Sequence, residues 1–96
     1  MRKKKLPLVW DAWNREHIKK HSLTIAEAEE AYTHSLASFT AKAGRTGIIA
    51  KIKNGRMIVI FLSFERQKGP YVVSARDANV KERSIVYEQA KTNQTI

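Results

Sequence analysis

The spacing of apolar positions changes twice along the 96-residue chain, from helical to extended and back to helical. In "LPLVW", Leu6, Leu8 and Trp10 alternate, which predicts a short extended entry. Asp11 follows as an N-cap for a helix over Ala12 to Lys20, where Trp13, His17 and His21 recur every four residues and share a face. Thr24 and Glu27 form a capping box for a second helix. Its apolar stripe is Ile25, Ala28 and Ala31 or Tyr32; Ala26, Glu27, Glu29 and Glu30 are expected to face outward or toward a partner.

The period then shortens. Strands are predicted over Leu36 to Ala41, Gly47 to Ile52, Arg56 to Phe64 and Tyr71 to Ala75. Asn54-Gly55, between two apolar runs, is the strongest hairpin signal, because both residues accept positive φ. Lys68-Gly69-Pro70 marks a further turn. "MIVIFLSF" is apolar almost without a break, the mark of a central strand covered on both sides. Asn79 with Glu82 is another capping box and opens a last helix through about Lys91, with residues 92–96 as a frayed tail. The order predicts one α+β domain over residues 1–96: two N-terminal helices, an antiparallel sheet of about four strands and a C-terminal helix, the helices lying on one face of the sheet.

Composition sharpens this picture in two places. Cysteine is absent, which removes disulfides and thiolate chemistry. The apolar runs are too short to span a bilayer, and Pro7 and Asp11 interrupt any signal-peptide core, so a soluble cytoplasmic protein without a membrane partner is expected. The formal charge is +9, from 18 Lys and Arg against 9 Asp and Glu. Four of the cations are Arg2 to Lys5, in an arm over residues 1–6 expected to be flexible, yet the rest of the chain keeps a basic excess without them. Such an excess favours nucleic acid or an acidic protein as partner, while a solvated basic surface is the plainer account.

Several chemistries drop out. His17 and His21 have the spacing of a metal pair, but no third ligand is evident and Ile18 stands where a zinc protease carries its glutamate. Packing or hydrogen bonding is the expected role of both, as packing is for Trp10 and Trp13. Ser74 ends a strand without the glycines of a nucleophile elbow, and no Gly-rich phosphate loop occurs. No metal or cofactor is expected.

What remains is basic and phenolic. Asn79, Arg83 and Tyr87 recur at four-residue spacing on the last helix, with Arg76 just before it and Lys81 and Glu82 in its first turn. A phosphate at this strand-to-helix junction would meet guanidinium forks and the positive end of a helix dipole. Arg45 and Arg56 would converge there if they lie at the ends of adjacent strands. RNA cleavage suits such a set, because the RNA supplies its own 2′-hydroxyl nucleophile and the protein needs only to position it and stabilise charge. Glu82 is then a candidate base, and Tyr87, or an Arg or Lys with a displaced pKa, a candidate acid. For Glu82 the capping box alone is the competing explanation; for Arg83 and Tyr87 it is a salt bridge and a core-edge phenol.

"VWDAWNREHIKKHSLTIAEAEEAY", "RMIVIFLSF" and "YVVSARDANVKERSIVY" together resemble the BrnT family of toxins over about Leu8 to Glu88. The resemblance implies a RelE-like fold and a metal-independent endoribonuclease toxin of a type II toxin–antitoxin pair. It implies a ribbon-helix-helix antitoxin as partner, through which the complex reaches operator DNA. Carried onto this chain, it implies Arg76, Glu82, Arg83 and Tyr87 as catalytic and Arg45 and Arg56 as RNA-binding residues, with Ala43 where the family has an acidic residue; Lys81 joins the RNA-binding set by its charge at the helix start. A noncatalytic nucleic-acid-binding module and a basic protein-interaction partner are the alternatives.

Overall fold

A computed structural model describes residues 6–65 and 69–94, with side chains described through residue 91. Residues 1–5 of the expected arm over 1–6, Lys68 of the expected turn and the last two residues of the expected tail lie outside the described residues.

The elements run α1 (Ala12–Lys19), α2 (Ile25–Thr33), β1 (Ala37–Thr40), β2 (Thr46–Lys51), β3 (Met57–Ser63), β4 (Tyr71–Asp77) and α3 (Val80–Gln94), with a 3-10 turn over Lys42–Gly44. This is the α+β layout expected from the pattern. The strands form one antiparallel sheet in the order β1-β2-β3-β4. Val9 adds a parallel bridge beside Tyr71, its N–H donating to the Pro70 carbonyl at 2.8 Å.

Local chemistry accounts for the boundaries. Asp11 and Asn14 cap α1 reciprocally, and Thr24 and Glu27 do the same for α2. Gly55, at φ 93°, turns β2 into β3, while the Asn54 Oδ1 accepts from the Arg56 N–H at 3.0 Å. Two ends differ from expectation by more than one residue. Helix α3 continues past Lys91 to Gln94, and β4 continues past Ala75 to Asp77. The second difference matters, because it puts Arg76 inside a strand and assigns it to a sheet face.

The helices do not share one face, and that expectation is corrected. The larger core joins Ile18, Leu23, Ala28 and Ala31 of the α1–α2 layer to Ala50, Ile58, Ile60, Leu62, Val72 and Ala75 of the sheet. A second cluster, Ala37, Ile49, Val59 and Ala78 with Ile85 and Val86 of α3, lies on the opposite face. The cause is in β3: Ile58, Ile60 and Leu62 belong to the first core, and Val59 with Phe61 and Met57 to the second. A strand apolar on both sides needs cover on both. The unbroken run in "MIVIFLSF" carried that requirement. Gln89 pins α3 to the outer edge of β1, its Nε2 donating to the Ser38 carbonyl at 2.8 Å.

Candidate functional site

Helix α3 covers only part of its sheet face. Beyond its N-terminus the face opens into a concavity of about 560 Å³, walled by Lys42, Arg45, Arg76 and Glu82 around Phe39 and Phe61. Three cations against one carboxylate give it a basic lining.

The floor is built by a glycine in a strand. Gly47 pairs with Phe39 on one side and Phe61 on the other. A Cβ on Gly47 would sit 2.4 Å from the Phe39 ring, so the ring lies directly over the backbone. There it meets Phe61 edge to face, with centroids 6.1 Å apart. The loop between β1 and β2 turns through two left-handed residues, Ala43 at φ 60° and Gly44 at φ 71°, and carries Lys42 and Arg45 to the rim. Arg45 is exposed and its side chain has no protein partner among the described residues.

Arg76 sits opposite Val59 in the β3–β4 ladder, and so on the α3 side of the sheet. Its guanidinium lies 5.1 Å from the Phe61 ring centroid, a cation–π contact. Both Nη atoms donate to Glu82, Nη1 to Oε1 and Nη2 to Oε2, each at 2.8 Å. Nη1 also donates to the Asp77 carbonyl. The Nε–H and a second Nη2 hydrogen remain for another acceptor. The hydrogen bonds that Arg76 donates to Glu82 raise the Arg76 pKa against the effect of burial, so the cation is permanent.

Glu82 is buried and closes the α3 capping box as well. Its Oε1 accepts from the Asn79 N–H at 2.8 Å, and its own N–H donates to the Asn79 Oδ1 at 2.9 Å. Burial alone would raise its pKa. The Arg76 fork and the Asn79 N–H outweigh that and hold the carboxyl below the usual range. A carboxylate so held is a weak base.

The sequence-derived set therefore divides. Arg76, Glu82 and Arg45 meet around one concavity. Lys81, Arg83 and Tyr87 are exposed and line neither of the molecule's two described concavities; Tyr87 is 69% exposed. Asn79, Arg83 and Tyr87 do share a helical face, but α3 turns Glu82, Ile85, Val86 and Gln89 toward the sheet instead. Arg56 stands apart: its Nε donates to Asp77 at 2.9 Å, Nη1 to the Ser22 carbonyl and Nη2 to the His21 carbonyl. It ties the start of β3 to the end of β4 and to the turn after α1. Lys42, Phe39, Phe61 and Gly47 were not in the set; the glycine inside a strand was the available signal.

The second concavity, about 490 Å³, adjoins the first through Arg45 and Val73, which line both. Trp13 lines it and is 56% exposed, which corrects its expected place in the core. Trp10 is half-buried, its Nε1 donating to Glu29 at 2.8 Å. His17 stacks on Trp13 with centroids 4.6 Å apart, and His21 meets His17 edge-on. Among the described residues no group of three or more His, Cys, Asp or Glu is placed to hold a metal ion, and no helix is long and apolar enough to cross a membrane.

Compared with protein-family models, curated proteins and solved structures, the chain matches none.

Proposed function

We propose that the chain binds single-stranded RNA in the Arg76 concavity and cleaves it without a metal, as the toxin of a type II toxin–antitoxin pair of the BrnT kind. The observation that carries this reading is the gathering of Arg76, Arg45 and Lys42 around an aromatic floor. Cations at a rim hold a phosphate backbone, and aromatic faces accept bases. The RNA 2′-oxygen attacks the adjacent phosphorus, the bond to the 5′-oxygen breaks, and the strand ends in a 2′,3′-cyclic phosphate and a 5′-hydroxyl. Arg76 and Arg45 stabilise the charge that builds on the phosphoryl oxygens. Glu82 holds Arg76 in place rather than taking the proton, since its oxygens are committed to Arg76 and Asn79. The proton leaves to solvent and the 5′-oxygen recovers one from it. The neutralising partner is a ribbon-helix-helix antitoxin that covers the basic concavity and carries the complex to operator DNA.

The lowered Glu82 pKa and the outward position of Tyr87 favour a second reading, an RNA-binding module that does not cut. One experiment separates the two. Purified protein is incubated with a long RNA in EDTA, alongside Arg45→Ala and Arg76→Lys. Cleavage that persists under chelation and falls at least about tenfold in both variants, with unchanged circular dichroism, supports the toxin. Binding without any cleavage supports the module.

A further inference from the structure

We infer that the second concavity is a nucleobase subsite, taking an amino-bearing base of the RNA strand whose phosphate lies in the first. The inference rests on the RNA reading above and adds a recognition step to it. The two concavities are neighbours that share Arg45 and Val73 in their linings, so a strand leaving the basic rim at Arg45 has the second beside it. The character of the lining changes on the way. Beyond Arg45 it carries Asp11 and Glu65 with Trp13 and Tyr71. Two carboxylates repel a phosphate but accept N–H donors; guanine, adenine and cytosine each present an exocyclic amino group, whereas uracil offers only its single imide N3–H.

The four side chains divide the work. Asp11 accepts from the Asn14 N–H and from the Tyr71 hydroxyl, at 2.9 Å to each of its oxygens, so it fixes the wall. The Tyr71 proton is secure: burial and its bond to Asp11 raise the phenol pKa. The Glu65 carboxylate takes no hydrogen bond from the described residues, and it is the acceptor left for a ligand. Trp13 presents an indole to the same space, and the stacked His17 ring, inclined by 12°, braces one of its faces. An exposed tryptophan braced on one side is a stacking platform for a base.

The test uses 2′-deoxy pentanucleotides, which cannot be cut through a 2′-hydroxyl, built on deoxyuridine with a single guanine, adenine or cytosine at each position in turn. Affinity is read by titration. Trp13 emission is followed in a Trp10→Phe background, where Trp13 is the single tryptophan. One register is expected in which the amino-bearing base binds at least about fivefold tighter than uracil and quenches Trp13. Trp13→Ala should weaken all oligomers by about fivefold or more. Glu65→Ala should leave overall affinity equal or higher, since a negative charge is removed, while the preference over uracil collapses to unity. Oligomers that bind through Arg45 with no Trp13 quenching and no base preference overturn the subsite and leave the RNA reading standing. Failure of every oligomer and of long RNA to bind overturns both.

Discussion

The two faces of the sheet are covered in different ways. The α1–α2 layer seals its face: Ile58, Ile60 and Ala75 have no exposure, and the core runs on to Leu8 and Ile52. Helix α3 seals only the part around Ala37, Ile49 and Val59. Beyond the N-terminus of α3, Phe39 and Phe61 are left half-covered and Arg76 stands beside them. The contrast shows how a small chain keeps a charged site without weakening its core. An arginine inside a sealed face would forfeit its hydration, whereas at the margin of a partial cover it keeps access to solvent and to a ligand. Its partner Glu82 comes from the covering helix, so the element that stops short of the site also braces it.

Neighbours on β3 test this contrast most strongly. Ile60 points into the sealed core and Phe61 into the open one. Ile60→Ala should cost about 3–4 kcal/mol in urea unfolding and leave RNA affinity per folded molecule unchanged. Phe61→Ala should cost only about 1–2 kcal/mol, because the ring is half-exposed, yet weaken RNA binding. Equal losses of stability would break the distinction.

Arg56 sharpens it at a smaller scale. Its guanidinium is spent on Asp77 and two carbonyls, so Arg56→Ala should cost about 1–2 kcal/mol and barely change the salt dependence of RNA binding.

The smallest of these effects is pH-dependent. The folded pKa of Glu82 is lowered, so its pair with Arg76 stabilises the fold fully above the unfolded carboxyl value of about 4.3. That stabilisation is lost as pH falls through the folded value. Glu82→Gln keeps the shape and the capping partner but not the charge, and should cost about 1 kcal/mol at pH 7, discounted for the partly exposed Arg76. The gap from wild type should hold down to about pH 4.3 and close below it. A gap that is constant to pH 3 would place the effect in packing.

Local signals were legible in the sequence and the choice of face was not. The Asn54-Gly55 turn and the capping boxes at Thr24 and Asn79 involve residues two or three apart, and the structure has each of them. The junction of β4 and α3 was legible for the same reason, whereas the carboxylate–guanidinium pair of Arg76 and Glu82 across it, six residues apart, came only with the structure. Arg83 and Tyr87 keep their four-residue spacing but face away from the side of α3 that meets the sheet. A helix with Val80, Ile85, Val86 and Tyr87 spread around it offers no single apolar stripe by which to choose the buried side. Phe39 and Phe61 meet only because β2 lies between their strands and offers a glycine at that point, a three-strand coincidence that pairwise spacing does not encode. The exposure of Trp13 follows from which face of α1 meets β4, a tertiary matter.

The most direct test of the central claim, that the open half of the α3 face holds a phosphate backbone, is the salt dependence of single-stranded RNA binding in wild type and Arg45→Ala. Arg45 is exposed and unpaired among the described residues, so its removal should leave stability within about 0.5 kcal/mol. The slope of log affinity against log salt should become shallower by about 0.7, the release of one counterion from a single strand. An unchanged slope and affinity in Arg45→Ala, with tight binding retained, would place the RNA elsewhere on the molecule and contradict the account.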